Sequence, residues 1–332
     1  MVEFAKMRIG IFVCPQAVPS SVANLVAAFQ SANQVIGQPQ FETLLVSEQP
    51  GPFGRDGVFL APQADLNALS LMDLLVVPAL EGTLEQALGD CAGFLRLLPG
   101  WLSEPVEPPG ARGVAAACTG TFLLAAAGVL EGKQATTHWM FAAEFRSAFP
   151  NVDLRFDGLV QADGDTVTSG GGSGAIDLAL ALIERDAGAD VARTVASHMM
   201  FDHRRGPQSN FFPLTPPRAS ADELVSRAQD LIARSLNEGL SVNLLANRLN
   251  VTSRTLLRRF QTTLGITVQD YIQRARMERA RSALEDGQGT IESIVQGVGY
   301  TDRASFGRSF KRHFGVGPGA FRSRARPSVV GD

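Results

Sequence analysis

The stretch TSRTLLRRFQTTLGI at residues 252–266 returns as DRASFGRSFKRHFGV at residues 302–316, an internal repeat at an offset of 50. Leu256, Phe260 and Leu264 in the first copy, and Phe306, Phe310 and Phe314 in the second, recur every four residues. That spacing predicts two helices, each with one buried apolar stripe and a cationic opposite face. Thr252 and Asp302 stand where an N-cap oxygen would accept from first-turn N–H groups, and Gly265 and Gly315 where a helix should stop.

Upstream of each copy lies a shorter helical pattern. Ser241 precedes Val242, Leu245 and Leu249; Thr290 precedes Ile291, Ile294 and Val298. These repeat at an offset of 49, so the following turn is one residue longer in the second copy, through Gly299 and Tyr300. Each copy therefore reads as helix, tight turn, helix. Residues 267–285, TVQDYIQRARMERARSALE, form a helical spacer between them, with Tyr271, Ala275, Ala280, Ala283 and Leu284 available to pack. A spacer of fixed length matters because B-DNA presents successive major-groove faces about 34 Å apart.

Charge divides the 332 residues, which are enough for two separate cores. The net charge of −3 is made of −12 through Asp202 and +9 from His203 onward. Of the 20 cations in the basic part only Lys311 is lysine. Arginine is the side chain whose planar fork fits phosphate oxygens and the guanine edge. Solvated helix faces also collect arginine, so the duplicated pattern, rather than charge alone, points to nucleic acid. Between the two parts, residues 203–219 hold four prolines and little periodicity, the composition of a linker.

Here the C-terminal part resembles a known family. Residues 222–326, with two helix-turn-helix units, the joining helix and the closing FGVGPGAFR, resemble the DNA-binding domain of AraC/XylS-type transcription regulators. The resemblance implies double-stranded promoter DNA as partner. It also implies base contacts from Ser253, Arg254, Leu257 and Arg258 on the first recognition helix and from Arg303, Ala304, Gly307 and Arg308 on the second, with Thr252 and Lys311 flanking them. Arg258 and Arg308 are equivalent under the repeat and are the strongest candidates, although more than half of protein–DNA hydrogen bonds typically go to the backbone. Ala304 and Gly307 are small where the first copy has Arg254 and Leu257, so the second helix is expected to read less sequence. Val295 stands where the family usually has alanine at the helix crossing, which predicts looser packing or different docking of the second unit.

The acidic part alternates short apolar runs (MRIGIFVC, FETLLV, DLLVV, GVAAA, DTVTS) with helical stretches (SSVANLVAAFQSA, LEQALGDCAGFLRLL, HWMFAAEFRSAF, AIDLALALIERD). Strands without polar alternation, separated by helices, predict a doubly wound α/β fold with a mostly parallel sheet. Ligands on such sheets bind at the carboxyl ends of the strands, so the loops after Val13, Val77, Ala117 and Ser169 are the places to look. In GVAAACTGTFLL, an apolar strand runs through Cys118, Thr119 and Gly120 into a helix, an elbow that lifts one side chain beside a helix N-terminus. A helix N-terminus lowers a thiol pKa.

This elbow, with Thr-Thr-His-Trp twenty residues beyond the cysteine, resembles the PfpI-like domain of the glutamine-amidotransferase-like superfamily. The segment from Thr168 to Ala192, with Asp177, extends the likeness over most of residues 7–200. A PfpI-like domain ahead of an AraC-type domain is the arrangement of the GlxA-like regulators. In the enzymes of the superfamily the elbow cysteine is a nucleophile assisted by a histidine and by an acid from the loop after the first strand. Cys118 and His138 match. The acid does not: residues 15–21 read PQAVPSS, without a carboxylate. The loop after the third core strand reads PALEG, residues 78–82, where the enzymes tend to have a glycine pair supplying oxyanion donors.

Two roles compete for this half, beside a third in which it is a degenerate domain that binds no ligand. As a sensor it would line a ligand site with Cys118, Thr119, His138, Pro15 and Glu81; as a Cys-dependent hydrolase or amidase it would turn over an acyl or amide substrate. Cys118 is read as pocket lining or a redox-sensitive thiol, with a nucleophile and an inert elbow residue as alternatives. His138 serves equally as a donor to a ligand or as the cap of a helix beginning at Trp139. No cofactor is expected, because GGGSG at residues 170–174 lacks the Lys-Ser/Thr pair of a phosphate loop. Cys14, Cys91 and Cys118 are too few and scattered for a disulfide framework or a zinc site. No stretch approaches the roughly 20 apolar residues of a membrane span, and IGIFVC is too short for a secretory signal. The expectation is a cytoplasmic homodimeric regulator with a PfpI-like sensor domain (1–202), a linker (203–219), an AraC-type domain (220–326) and a tail (327–332). Its effector is small, with amino acids or betaines suggested by the resemblance, and RNA polymerase is a further candidate partner.

Overall fold

The computed structural model describes residues 6–55, 57–104, 112–202, 205–211, 222–264, 266–287 and 289–325. Gly265, most of the expected linker and the tail lie outside the described residues. The chain divides into two compact units, Met1–His203 and Arg204–Asp332.

In the first unit the apolar runs become strands because their side chains are buried on both faces. A sheet of six strands has the order β2-β1-β5-β6-β10-β9. Its members are β1 (Met7–Phe12), β2 (Phe41–Val46), β5 (Leu74–Val77), β6 (Gly113–Ala117), β9 (Val160–Asp163) and β10 (Thr166–Ser169). All neighbours run parallel except β9, which pairs antiparallel with β10. Two minor pairs, β3 (Phe53–Arg55) with β4 (Val58–Leu60) and β7 (Gln134–Ala135) with β8 (Asp153–Leu154), complete the strands. The five apolar runs read from the sequence are the five parallel strands; β9 and the minor pairs, strands of two to four residues, were not expected.

The helices of this unit are α1 (Pro19–Ile36), α2 (Leu84–Asp90), α3 (Ala92–Ser103), α4 (Thr121–Ala126), α5 (Ala142–Ala148), α6 (Gly174–Ala187) and α7 (Ala189–His198). α1 packs against α6 and α7, and α4 against α2 and α3. The expected single helix LEQALGDCAGFLRLL is broken at Cys91, whose backbone (φ −118°, ψ 23°) leaves the helical range. Glu48 accepts the N–H groups of Gly93 and Phe94 at 3.0 and 2.8 Å, which satisfies the start of the second piece. β1 has β2 on one side and β5 on the other, so the chain reverses its winding there. The loops after β1 and β5 consequently flank the crevice where such folds bind ligands.

The second unit is helical: α8 (Glu223–Arg234), α9 (Val242–Arg248), α10 (Ser253–Leu264), α11 (Val268–Glu285), α12 (Ile291–Gly297), α13 (Arg303–Phe314) and α14 (Pro318–Ala325). Caps occur where the residue types called for them: Ser241, Thr267, Thr290 and Asp302 each accept from first-turn N–H groups, and Gly315 closes α13 at φ 76°. α11 is a shared spine of about 27 Å at 1.5 Å per residue. Val268, Tyr271, Ile272 and Ala275 are buried on the side of α8 and α10, while Met277, Ala280 and Leu284 join the core of Ile294, Val295, Phe306 and Phe310. Val295 is itself buried in that core.

The two turns solve one backbone problem with different residues. Asn250 takes φ 56° and Gly299 takes φ 76°, the left-handed region that Asn tolerates and Gly enters without penalty. At Gly299 a Cβ would also lie 2.3 Å from the Leu236 carbonyl oxygen. Arg276 on α11 donates to the Leu236 and Glu238 carbonyls at 3.3 and 3.1 Å and lies over the Tyr300 ring, so one half-buried side chain ties the loop after α8, α11 and the second turn together.

Candidate nucleic-acid interface and sensor crevice

α10 and α13 turn their apolar stripes inward: Leu256, Phe260, Phe306 and Phe310 are all at 0% exposure, and Leu264 and Phe314 at the helix ends are half-buried. The helical period then forces the intervening residues outward. Arg254, Leu257 and Arg258 are exposed on α10, and Arg303, Ala304, Arg308 and Lys311 on α13; Ser253 and Gly307 are half-buried. Among the described residues, the side chains of Arg254 and Arg258 have neither an ion pair nor a hydrogen bond, so their donors are available to an external acceptor. The second helix differs. Arg303 is paired with Glu292 on α12, and Arg308 donates to Ser305 Oγ at 2.9 Å. Ser253 Oγ donates to Asn243 Oδ1 at 2.6 Å, and Thr252 Oγ1 accepts from the Thr255 N–H at 3.2 Å.

Arg259, next to the candidate arginines, serves the fold. Its Nη2 donates to Asp222 at 2.9 Å, and Asp222 caps α8. The Arg259 guanidinium holds the Asp222 carboxyl below the usual carboxylate range. The repeat singles out Arg258 over Arg259 in the sequence, but that Arg259 meets an acid depends on the position of α8.

In the first unit Cys118 takes φ 57°, an outlier for a residue with a side chain, and Gly120 follows in the αR region. A Cβ on Gly120 would meet the carbonyl oxygens of Pro78 and Val77 at 2.3 and 2.7 Å, so the elbow sits directly on the end of β5. The expected lowering of the thiol pKa does not occur: burial pushes the Cys118 thiol up, opposed more weakly by hydrogen bonds from Thr119. Desolvation outweighs the helix terminus at a residue only 6% exposed.

The loop after β5 is closed by its neighbours. The Ala79 N–H donates to Ser21 Oγ at 3.0 Å, the Leu80 N–H to Thr119 Oγ1 at 2.8 Å and the Glu81 N–H to the Gln16 carbonyl at 3.0 Å. Thr119 Oγ1 also donates back to the Leu80 carbonyl at 2.5 Å. Three consecutive N–H groups are thus committed internally. His138 caps the turn that follows it, its Nδ1 accepting from the Met140 N–H at 3.1 Å, and burial lowers its pKa. Of the five candidate ligand residues, Thr119 and Glu81 line a cavity of about 420 Å³ beside the elbow, whereas Cys118, His138 and Pro15 are not on its wall. The Gly run before α6 is a strand-to-helix turn, closed by Ser169 Oγ donating to the Gly174 carbonyl at 2.6 Å.

One feature escaped the sequence. Cys14, just beyond β1, and Cys91, at the helix break, are both buried, and each thiol shifts the other. The interaction lowers the Cys14 pKa and raises that of Cys91. Among the described residues no group of His, Cys, Asp and Glu is placed to hold a metal ion, and no helix is long and apolar enough to cross a membrane.

Comparison with known proteins gives a family match in each unit. A helix-turn-helix domain family matches residues 245–324, and the DJ-1/PfpI family matches residues 109–185. The chain joins a DJ-1/PfpI domain to an AraC-type helix-turn-helix domain. The HTH-type transcriptional regulator GbdR of Pseudomonas aeruginosa is 26% identical over 306 residues, covering 90% of this chain and 79% of GbdR. GlxA of Rhizobium meliloti, also an HTH-type transcriptional regulator, is 30% identical over 218 residues, 62% of this chain and 64% of GlxA. Isonitrile hydratase of Pseudomonas putida is 38% identical over 120 residues, 36% of this chain and 50% of that enzyme. A crystal structure from Vibrio parahaemolyticus, described as a transcriptional regulator, superposes with a TM-score of 0.50 at 21% identity, covering 58% of this chain and 99% of that one; this likeness is one of fold. The chain is a DNA-binding transcriptional regulator.

Proposed function

We propose that the first unit is a non-catalytic sensor, which binds a small nitrogenous metabolite at the crevice beside Cys118 and biases how α10 and α13 engage promoter DNA. The observation that carries this reading is the closed loop: the N–H groups of Ala79, Leu80 and Glu81 all have internal partners, beside a thiol held protonated by burial. An acyl-transfer site needs donors aimed at a developing oxyanion and a thiolate to attack. Base reading is assigned to Arg254, Leu257 and Arg258, with Ser253 and Thr252 flanking them. Phosphate contact is assigned to Arg303, Arg308 and Lys311, where Ala304 and Gly307 allow close approach. A cytoplasmic homodimer is the form proposed, since paired half-sites suit a symmetric protein.

The enzymatic reading has one observation in its favour, the left-handed backbone at Cys118, which the elbow nucleophiles of hydrolases share. The deciding experiment measures promoter DNA binding by the full chain across a metabolite panel, beside turnover on amide, acyl and isonitrile substrates. A metabolite that shifts DNA affinity without being consumed supports the sensor. Multiple turnover abolished by Cys118→Ser overturns it.

A further inference from the structure

The outward face of α10 sets an apolar side chain between two cationic ones. Among the described residues from 223 to 325, Leu257 is the only large apolar side chain left exposed, at 41%. One exposed leucine is ordinary on a protein surface; its neighbours make this one informative. Arg254 and Arg258 flank it, and among the described residues neither side chain has an ion pair or hydrogen bond of its own. The hydroxyls at the start of the helix are already engaged: Ser253 Oγ donates to Asn243 Oδ1 at 2.6 Å, and Thr252 Oγ1 accepts from the Thr255 N–H at 3.2 Å. The face therefore offers two guanidinium forks and a leucine that neither donates nor accepts.

Base edges differ in what they can do with such a face. Every base pair presents hydrogen-bonding groups in the major groove, and only thymine adds an apolar one, its 5-methyl. Opposite any other base, Leu257 would take water from a polar edge without replacing its hydrogen bonds, which is costly. Opposite a thymine methyl, both partners remove apolar surface from water. Arg254 and Arg258 lie one turn apart, about 6 Å at 1.5 Å per residue, or roughly two base-pair steps. Leu257 is three residues from the first and adjacent to the second, so the three side chains address the same few base pairs. The repeat supplies an internal contrast: at the offset of 50, Gly307 stands in the place of Leu257 and leaves nothing on α13 to cover a methyl there.

We propose that Leu257 reads the 5-methyl group of a thymine, so that the DNA taken by α10 carries a thymine within about two base pairs of a guanine read by Arg254 or Arg258. The proposal rests on base reading by α10 and adds the identity of the bases. The operator is obtained by selecting duplexes from a random pool with the full-length protein. Each of its thymines is then replaced singly by uracil, which keeps the pairing with adenine and the O4 acceptor and lacks only the methyl. Wild type, Leu257→Ala, Arg254→Ala and Arg258→Ala are titrated against these duplexes by fluorescence anisotropy.

One thymine, beside a guanine for which Arg254→Ala or Arg258→Ala loses its preference, should respond. Uracil there weakens wild-type binding about fourfold, the worth of one buried methyl, and leaves Leu257→Ala unaffected. Uracil at other positions, including those under α13, should change wild type and Leu257→Ala alike. Because Leu257 is exposed, Leu257→Ala should melt at the wild-type temperature and keep the wild-type salt slope, which separates a lost methyl contact from misfolding. An operator with no thymine beside those guanines overturns the proposal, as does one in which no uracil weakens binding. The same uracil penalty in both proteins also overturns it, since DNA shape rather than Leu257 would then sense the methyl. Any of these results with an operator that still depends on Arg258 leaves base reading by α10 standing and removes only the thymine assignment. A pool from which the full-length protein enriches no sequence overturns both.

Discussion

Gly120→Ala tests the close seating of the elbow on the sheet. In open space an alanine at this αR backbone (φ −58°, ψ −24°) would stabilise the protein by about 0.4–1 kcal/mol, because the unfolded chain loses freedom. Here the added Cβ would meet backbone at 2.3 Å (Pro78 O) and 2.7 Å (Val77 O), and neither carbonyl can rotate away. Relief to an ordinary C···O separation of roughly 3.3 Å requires a shift of about 1 Å. Such overpacking costs about 1–3 kcal/mol. The shift also breaks the reciprocal Thr119–Leu80 pair, at about 0.5–1.5 kcal/mol per bond. The unfavourable contributions win, and a net loss of about 3 kcal/mol is expected. For a unit the size of Met1–His203 that corresponds to a fall in Tm of roughly 6–12 °C. Calorimetry of the full chain should show it in the transition of the first unit. Gly89→Ala in α2 is the control: nothing lies within 4 Å of its added Cβ, so that variant should be neutral or slightly stabilised. A Gly120→Ala protein that melts at or above the wild-type temperature would refute the close approach.

Arg258→Ala should cost about 1–3 kcal/mol of specific DNA affinity and much less on random DNA; equal losses in a gel-shift series would make Arg258 a phosphate contact. Binding should weaken steeply with salt, with a log–log slope of about −0.9 for each phosphate neutralised, and a slope near zero would exclude arginine–phosphate contacts. Cys118, held protonated by burial, should react with iodoacetamide at pH 7 more slowly than an unfolded-peptide cysteine, and Cys118→Ser should leave unliganded DNA binding intact; rapid stoichiometric alkylation would contradict the buried thiol. Tyr271, on α11 and desolvated on the side of α8 and α10, is pushed up to about 12. Its folded-state value lies above the unfolded one, so this contribution to stability is complete below about pH 10 and is lost as pH rises through 12. A tyrosinate absorbance titration in which both tyrosines ionise near pH 10 in the folded protein would refute that environment.

Periodicity was enough to determine the two helix-turn-helix units, the helical spacer and the five parallel strands, because burial on one stripe or on both faces leaves its mark on every turn or residue of an element. Caps at Ser241, Thr290 and Asp302 were legible for a similar reason: the side chain bonds N–H groups two or three residues away. What required the fold were relations between distant segments. The meeting of Cys14 with Cys91, the pairing of Arg259 with Asp222, and the upward shift of the Cys118 thiol each depend on which element packs alongside. The cavity is the clearest instance. Glu81 and Glu144 belong to loops and helices far apart in the chain, and no local pattern records that a parallel sheet brings them to one wall. Local sequence encodes what a residue does to its own helix or strand; the electrostatics of a crevice arise only when strand order has chosen which loops become neighbours.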